Sequence, residues 1–304
     1  MTGATGLLGS DLCRVLAGRH EVTGWARKSR QSAAPMQPVE ITDPKAVRSA
    51  MERFSPEAVI HTAAQSDVDA CETDPVSAAL INVKGVEIVA RAAESAGAVF
   101  LPVSTDYVFD GSLNRPYREE DEPHPLQAYG RLKLEGEQAA LKQASRCVIL
   151  RVSGLFGSAR PNFVLSSAIK FRAGQGVPVV ADHRYSPSYT LDLAGGVERL
   201  LDRIEQDPRA VKAGGPLYGP LHLANSGGAS RLQVAREIAR LLGASPSLIE
   251  ETSWKTLNRP AKRPADSQLD CRRFSQRVGA PLRPWAEAVR AFLDSGVLDL
   301  RENS

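Results

Sequence analysis

A tyrosine and a lysine stand four positions apart, Tyr129 and Lys133, in a segment whose pattern predicts a helix over residues 126–143. On a helix this spacing places both side chains on one face. A phenol can donate a proton to a carbonyl oxygen that is becoming an alkoxide, and a nearby ammonium stabilises the phenolate and lowers its pKa. The pair predicts a general acid and its modulator, although a surface tyrosine beside a lysine would show the same spacing.

Residues with hydroxyl side chains stand at the end of the predicted strand that comes before this helix. The run Val103-Ser104-Thr105-Asp106-Tyr107 ends a predicted strand over residues 98–104. The carboxyl ends of parallel strands form the edge at which such sheets bind ligands. A hydroxyl, a phenol and an ammonium gathered at that edge would suit hydride transfer to a ketone, because the new alkoxide must take up a proton.

Three glycines, Gly3, Gly6 and Gly9, are spaced as GxxGxxG and lead directly into a predicted helix over residues 7–17. Glycines let backbone N–H groups approach a pyrophosphate at a helix N-terminus, where the helix dipole favours negative charge. The spacing predicts a dinucleotide-binding loop, and an ordinary glycine-rich turn is the alternative.

The end of the next strand bears on which dinucleotide is bound. This strand is predicted over residues 21–26, and the chain continues as Ala26-Arg27-Lys28-Ser29-Arg30, without the acidic residue that would hold a ribose 2′-hydroxyl. Cations there suit the additional 2′-phosphate of NADP, since Arg offers a planar fork to phosphate oxygens. The sequence therefore predicts NADP(H), with Arg27 at the phosphate. NAD(H) and a solvated basic loop are the alternatives.

The order of elements in the first half is that of βαβ units. Apolar strands are predicted over residues 21–26, 58–61, 98–104 and 147–152, and helices over 7–17, 45–54, 76–96 and 126–143. Continuous apolar strands between helices indicate a parallel sheet that is covered on both faces. We predict an α/β fold with a Rossmann-type, doubly wound parallel sheet in residues 1–156.

The second half is less regular. Further strands are predicted over residues 177–181 and 221–224, helices over 191–204, 232–242 and 284–293, and an ordered loop over the Pro- and Arg-rich residues 257–269. We expect residues 157–304 to form a smaller substrate-binding lobe over the mouth of the sheet, interleaved with the last elements of the Rossmann domain.

The N-terminus departs from the expected pattern, because almost nothing precedes the glycine loop. The strand that normally leads into such a loop is central in a doubly wound sheet. Its loss would leave backbone groups unpaired on both neighbouring strands, at a cost of about 1–3 kcal/mol for each buried group. We expect the first strand to be missing or truncated, and the true start to lie upstream.

Composition sets the broad class. The 304 residues include 42% hydrophobic and 24% charged residues, with a formal net charge of +3 and no concentrated basic stripe, so we expect no nucleic-acid partner. The four cysteines are scattered without a C-x-x-C pair, which predicts neither a metal site nor disulfides. No apolar run approaches the length of a membrane span. A cytoplasmic protein without membrane contact is expected.

Four stretches carry a resemblance to a known family. They are residues 2–9, residues 104–111 (Ser-Thr-Asp-Tyr-Val-Phe-Asp-Gly), residues 129–133 (Tyr-Gly-Arg-Leu-Lys) and residues 263–270 (Arg-Pro-Ala-Asp-Ser-Gln-Leu-Asp). Together they run along nearly the whole chain, which resembles the extended short-chain dehydrogenases and, within them, the dTDP-4-dehydrorhamnose reductase family. The resemblance implies a Rossmann domain, a nucleotide-sugar lobe and NAD(P)H as hydride donor.

The resemblance also implies roles for individual residues. By position, Thr105 is similar to the hydroxyl that binds the substrate oxygen, Tyr129 to the general acid and Lys133 to its modulator. On the substrate side we expect Thr105, Asp106, Tyr129 and Arg263, the last as a clamp on the diphosphate. The residues expected against the cofactor are Gly3, Thr5, Gly6, Leu7, Leu8, Gly9, Arg27, Thr62, Ala63, Ala64, Val103, Tyr129 and Lys133.

The implied activity is NADPH-dependent reduction of the 4-keto group of a nucleotide-linked 6-deoxyhexose, giving dTDP-L-rhamnose. Two alternatives stay open. The chain also resembles the non-catalytic, NADP-binding regulatory subunit of methionine adenosyltransferase, which shares the Asp-Tyr-Val-Phe-Asp-Gly stretch but typically has serine where Thr105 stands. A sugar-nucleotide epimerase or dehydratase is the second. The expected partner is a nucleotide-sugar substrate, and a homodimer is left open.

Overall fold

The computed structural model describes residues 1–27, 33–254 and 256–299. Its strands, numbered in chain order, are β1 (Gly24–Ala26), β2 (Met36–Pro38), β3 (Ala58–His61), β4 (Val99–Thr105), β5 (Val148–Val152), β6 (Leu155–Phe156), β7 (Val177–Val180), β8 (Arg184–Tyr185), β9 (Ser188–Tyr189), β10 (Gly219–His222), β11 (Ala229–Ser230) and β12 (Ile249–Thr252). Its α-helices are α1 (Leu7–Leu16), α2 (Pro44–Phe54), α3 (Val68–Thr73), α4 (Pro75–Ala79), α5 (Val86–Ser95), α6 (Ala128–Gln143), α7 (Phe163–Arg172), α8 (Thr190–Gln206), α9 (Arg231–Leu242), α10 (Arg272–Val278) and α11 (Trp285–Asp294).

Parallel strands form the central sheet. β2 pairs with β1, and on the other side β3, β4, β5 and β10 follow one another in that order. Thr2 joins the two sets, since it forms parallel bridges with Trp25 of β1 and with His61 of β3. The order is that of a doubly wound sheet, with the chain start at its centre.

The residues around Thr2 make hydrogen bonds on both sides. The Thr2 N–H donates to the carbonyl of Ile60 at 3.0 Å, and the Trp25 N–H donates to the carbonyl of Met1 at 2.6 Å. A cavity of about 520 Å³ lies beyond, lined by Met1 and by residues of the segments that lead into β1 and β3. The expectation of a longer first strand stays a prediction.

Helices cover both faces of the sheet, as the continuous apolar strands predicted. Leu101 and Leu150 pack with α1 and α8 on one face, whereas Phe100 and Ile149 pack with α2, α5 and α6 on the other. All four side chains are fully buried. Since each such side chain stabilises the fold by about 1.5–3 kcal/mol, this double layer holds the strand ends in a fixed arrangement.

A second group of apolar side chains lies outside the sheet. It joins α7, β7, α9 and α11, and its centre contains Phe156, Tyr189 and Phe292, with the rings of Phe156 and Tyr189 stacked at 5.5 Å. β12 pairs with β7 in the same region. The later strand β10 returns to the central sheet beside β5, so the second half of the chain contributes to both layers.

The long helix predicted over residues 76–96 is interrupted, which corrects that expectation. α4 ends at Ala79, a π-helical turn follows at Leu80–Gly85, and α5 continues from Val86. The buried Asn82 in this turn accepts a hydrogen bond from the Gln65 N–H at 2.9 Å and donates to the Gln65 carbonyl at 3.0 Å. These side-chain bonds hold the loop after β3, and local periodicity gives no sign of them.

Among the residues described, no helix has the length and apolar character that crossing a bilayer requires.

Candidate active site

A cavity of about 880 Å³ opens at the carboxyl edge of the sheet. The sheet, α1 and α6 form one wall, and α7, β8 and α9 of the second apolar group form the other. Every sequence-predicted site residue except Arg263 lines it: Gly3, Thr5, Gly6, Leu7, Leu8, Gly9, Arg27, Thr62, Ala63, Ala64, Val103, Thr105, Asp106, Tyr129 and Lys133.

The hydroxyl, the phenol and the ammonium predicted from sequence converge in this cavity. The Thr105 hydroxyl and the phenol of Tyr129 both line it, and the hydroxyl lies close enough to the phenol to affect its pKa. One turn further along α6, Lys133 Nζ donates to the carbonyl oxygen of Val103 at 2.7 Å, which holds the ammonium against the end of β4. The ring of Tyr107 meets the ring of Tyr129 edge-on at 6.2 Å.

Burial dominates the ionisation of both groups on α6. It raises the pKa of Tyr129 above its ordinary value, and the neighbouring Thr105 hydroxyl only partly opposes this. Burial lowers the pKa of Lys133 to about 8, against the opposing effect of Glu137 and Cys71. The lowering of the tyrosine pKa by the lysine stays a prediction. The phenol is protonated at neutral pH, which is the form that a general acid needs.

Close packing fixes the start of α6. The Ala128 N–H, at the first turn, donates to the carboxylate of Glu72 from α3 at 2.7 Å. A Cβ atom on Gly130 would lie only 2.1 Å from the carbonyl oxygen of Tyr107. A glycine is required there because the backbone that carries Tyr129 touches the backbone that follows Thr105.

Asp106 connects the end of β4 to the C-terminal part of the chain. Its side chain is 4% exposed. Thr105 Oγ1 donates to Oδ1 at 3.1 Å, and the hydroxyls of Ser153 and Ser267 donate to Oδ2 at 2.7 and 2.6 Å. Burial raises the pKa of Asp106 to about 6, although these three hydroxyls favour the ionised form. An ionised Asp106 therefore orients the Thr105 hydroxyl next to the phenol.

The glycine loop has the geometry of a phosphate cradle. A Cβ atom on Gly9 would lie 2.2 Å from the carbonyl oxygen of Gly3, so the first turn of α1 packs directly on the loop. Gly3 itself has φ of +65°, a conformation that L side chains rarely adopt. The N-cap residue Gly6 offers no side chain to the free N–H groups of α1. These N–H groups and the helix dipole suit an anion.

Further residues that were predicted to contact the cofactor lie beside this loop. Thr62, Ala63 and Ala64 follow β3, and the Thr62 hydroxyl donates to the carbonyl of Thr2 at 2.8 Å. Arg27 follows β1 and lines the cavity. Lys28 and Arg30, predicted with it at a 2′-phosphate, lie outside the described residues.

Arg263 lies elsewhere than predicted. Its guanidinium donates to both carboxylate oxygens of Asp69 on α3, at 2.7 and 2.9 Å, and it stacks over the ring of Trp254 at 5.0 Å. The side chain is 10% exposed. An arginine bound in this way on both oxygens has little capacity left for a substrate phosphate, so the structure gives its clamp role no support.

Sequence reasoning missed the residues that the second wall contributes. They include Arg160, Phe163, His183, Tyr185 and Arg231. Phe163, Tyr185 and Arg231 lie in helices or strands, whereas Arg160 and His183 lie in loops, and no spacing pattern in the sequence connects them. The helix predicted over residues 232–242 starts beside Arg231, and in the structure a capping box precedes it, in which the Ser230 hydroxyl accepts from the Gln233 N–H at 3.1 Å.

A doubly wound sheet, a glycine loop before α1 and a Tyr-x-x-x-Lys pair beside a threonine define an extended short-chain dehydrogenase. The comparisons with known proteins agree with that class. Within it, the chain belongs to the RmlD substrate binding domain family, whose model matches residues 1–297.

The similar proteins include several sugar-nucleotide reductases. The chain is 38% identical to a probable dTDP-4,6-dihydroxy-2-methyloxan-3-one 4-ketoreductase from Streptomyces antibioticus, over 97% of this chain and 94% of the relative. It is 37% identical to a dTDP-4-dehydrorhamnose reductase from Streptomyces griseus, over 95% and 90%. A solved dTDP-4-dehydrorhamnose reductase from Bacillus anthracis in complex with NADP superposes with a TM-score of 0.86 at 27% identity, covering 97% of each chain.

Proposed function

We propose that this protein uses NADPH to reduce the 4-keto group of a nucleotide-linked 6-deoxyhexose, as a dTDP-4-dehydrorhamnose reductase does. The convergence of Thr105, Tyr129 and Lys133 in the cavity that also contains the glycine loop carries this proposal. The relatives from both Streptomyces species are named as reductases of dTDP-linked keto sugars, which supports the substrate class.

The residues present fit a dinucleotide. The uncapped N-terminus of α1 and the close approach of Gly9 to Gly3 leave room for a pyrophosphate but not for side chains. Arg27 lines the same cavity and would meet a 2′-phosphate. NADPH, when bound, supplies the hydride.

The protein's own groups handle the substrate oxygen. Tyr129 would donate its proton to the oxygen at C4 as the carbonyl becomes an alcohol, because burial keeps the phenol protonated. Thr105, oriented by Asp106, would position that oxygen beside the phenol. The ammonium of Lys133, held at the Val103 carbonyl, would stabilise the phenolate until it regains a proton.

The proposal also assigns a separate role to each half of the chain. Residues 1–156 would bind the cofactor and residues 157–304 would cover and select the sugar nucleotide, which agrees with the two walls of the cavity. We further infer a cytoplasmic location, since the relatives' substrates are sugar nucleotides and the described helices include no membrane span.

The decisive experiment follows the absorbance of NADPH with dTDP-4-keto-6-deoxy-L-hexose as substrate. We expect turnover by the wild type and a loss of kcat by roughly two to four orders of magnitude in Tyr129→Phe, the usual effect of a positioned acid. Tyr218→Phe is the matched control, because among the described residues the Tyr218 hydroxyl bonds only the Leu141 carbonyl, outside the cavity.

The outcomes separate the alternatives. A wild type that binds NADPH but leaves every keto sugar unchanged contradicts the proposal and favours a regulatory subunit. A sugar-nucleotide product formed without net NADPH consumption favours an epimerase or dehydratase. Normal turnover in Tyr129→Phe removes Tyr129 from the mechanism.

A further inference from the structure

Arg231 presents a cation to the cavity from the wall opposite the sheet. It is the first residue of α9, and its backbone N–H donates to the carbonyl of His183 at 3.2 Å. Its Nε is buried and has no hydrogen-bond partner. Within the part of the chain that the structure describes, no carboxylate pairs with Arg231, whereas Arg236 on the same helix pairs with Glu251 at 2.8 Å.

Aromatic rings hold the guanidinium of Arg231 in place without accepting strong hydrogen bonds from its N–H groups. Its central carbon lies 4.9 Å from the ring centre of Phe163, 5.7 Å from that of Tyr185 and 5.8 Å from that of Trp254. The faces of such rings attract a cation, but they are weak acceptors for N–H groups. A guanidinium has five N–H donors, so this cage leaves donors free for strong oxygen acceptors.

The neighbours of Arg231 do not neutralise it. His183 is 2% exposed, both of its ring nitrogens lack partners, and its ring is stacked on Tyr185 at 5.2 Å. Burial, together with the charges of Arg231 and Arg263, lowers the pKa of His183 to about 3, so the imidazole is neutral at physiological pH. Arg263 is already balanced by Asp69. This wall of the cavity therefore carries the unbalanced positive charge of Arg231.

The location of this charge suits one part of the substrate. The ring of Tyr107 contacts the ring of Tyr129 at 6.2 Å and that of His183 at 6.4 Å, so one aromatic side chain separates the general acid from the Arg231 cage. A hexose whose C4 lies at Tyr129 has its C1, and the phosphate attached there, on the opposite side of the sugar ring.

We infer that Arg231, rather than Arg263, binds the diphosphate of the nucleotide sugar. The inference rests on the proposed function and names the residue that recognises the anionic part of the substrate. Charge-assisted bonds from the guanidinium to phosphate oxygens would occupy the donors that the cage leaves free. The rigid rings would limit the entropy lost when these bonds form.

The experiment measures binding of dTDP and of NADPH separately by calorimetry. Arg231→Met keeps the length of the side chain and removes its charge, and we expect its Kd for dTDP to rise by about tenfold or more, the effect of losing a charge-assisted hydrogen bond. The Kd of Arg231→Lys for dTDP should lie between those of the wild type and of Arg231→Met. Arg236→Met is the matched control, because Arg236 lies on the same helix, is 60% exposed and pairs with Glu251 outside the cavity.

Further readouts separate binding from folding and from chemistry. The Kd for NADPH and the thermal midpoint of Arg231→Met should match those of the control. The KM for the sugar nucleotide should rise while kcat changes little, since the bond is made equally in the ground and transition states. The salt dependence of dTDP binding should weaken in Arg231→Met, because a phosphate contact has been lost.

Each outcome has a distinct meaning. A wild type that binds dTDP and reduces the keto sugar, with an unchanged Kd for dTDP in Arg231→Met, overturns the inference and leaves the proposed function intact. A loss of NADPH affinity alone also overturns it, because Arg231 would then serve the cofactor. A wild type that binds no dTDP contradicts the proposed function itself, whatever the variant does.

Discussion

Replacing Asp106 by Asn should raise the free energy of unfolding at neutral pH without lowering it at acidic pH. The carboxyl group is buried and accepts hydrogen bonds from Thr105, Ser153 and Ser267, yet burial outweighs these bonds and raises its pKa to about 6. The folded protein thus retains a proton that the unfolded chain has released between pH values of about 4 and 6. Stability must fall as pH rises through this interval.

The magnitude follows from the difference between the two pKa values. A shift from 3.8 to about 6 corresponds to about 3 kcal/mol of lost stability once the group is ionised in both states. At about pH 5, where the folded protein is still mostly protonated at Asp106, only about half of this penalty has developed. An amide imitates the protonated acid, so Asp106→Asn should avoid the penalty while losing the fixed orientation of the Thr105 hydroxyl.

The assay is urea denaturation of wild type and Asp106→Asn at pH values of about 5 and 8, with turnover measured in parallel. We expect the advantage of the variant to be larger at the higher pH by about 1–2 kcal/mol, and its kcat to be lower than that of the wild type.

Asp110→Asn is the control, because at neutral pH we expect it to change the stability in the opposite direction. Burial raises the pKa of Asp110, but bonds from the Ser112 N–H and the Tyr117 hydroxyl outweigh burial and lower it overall. Its carboxylate stabilises the fold above the unfolded pKa, so this variant should be less stable at neutral pH. If Asp106→Asn shows the same stability difference from wild type at both pH values, ionisation of a buried carboxyl is not the cause.

Four further predictions test other parts of the site. Arg27→Asp should shift preference from NADPH toward NADH, because an acid holds a ribose hydroxyl and repels a phosphate; an unchanged ratio of the two kcat/KM values contradicts this. Gly130→Ala should cost about 1–3 kcal/mol in urea denaturation and lower kcat, since its Cβ would lie 2.1 Å from the Tyr107 carbonyl; unchanged values would refute that close contact. Glu137→Gln should cost about 3–5 kcal/mol, because it leaves Arg151 buried without its carboxylate; a stability loss below about 1 kcal/mol would argue against the pair. The kcat/KM for reduction should fall as pH rises through about 8, where the buried ammonium of Lys133 loses its proton, and a profile that stays flat above that pH would exclude its charge from the mechanism.

Local signals in the sequence sufficed for much of the fold and for the sheet side of the site. The strand over residues 58–61 was predicted with the bounds that the structure has, because a buried parallel strand is a continuous apolar run. Tyr129 and Lys133 share a helix face, and Gly3 to Gly9 form one turn, so each chemical unit lies within a few residues of sequence. Their meeting follows from the rule that ligand sites form at the carboxyl ends of parallel strands.

The opposite wall of the cavity depends on contacts that local patterns do not encode. Arg263 pairs with a carboxylate 194 positions away, a contact that its motif did not indicate. Arg231, which no motif marks, reaches the cavity because α9 packs on α7 in the second apolar group. The partner of a charged side chain is set by the groups that the tertiary fold places near it. Because burying an unpaired charge is costly, buried charges tend to form ion pairs. The sequence by itself determined the candidate catalytic groups and the sheet that presents them, whereas only the tertiary structure shows that Arg263 is paired with Asp69 and that Arg231 lines the cavity.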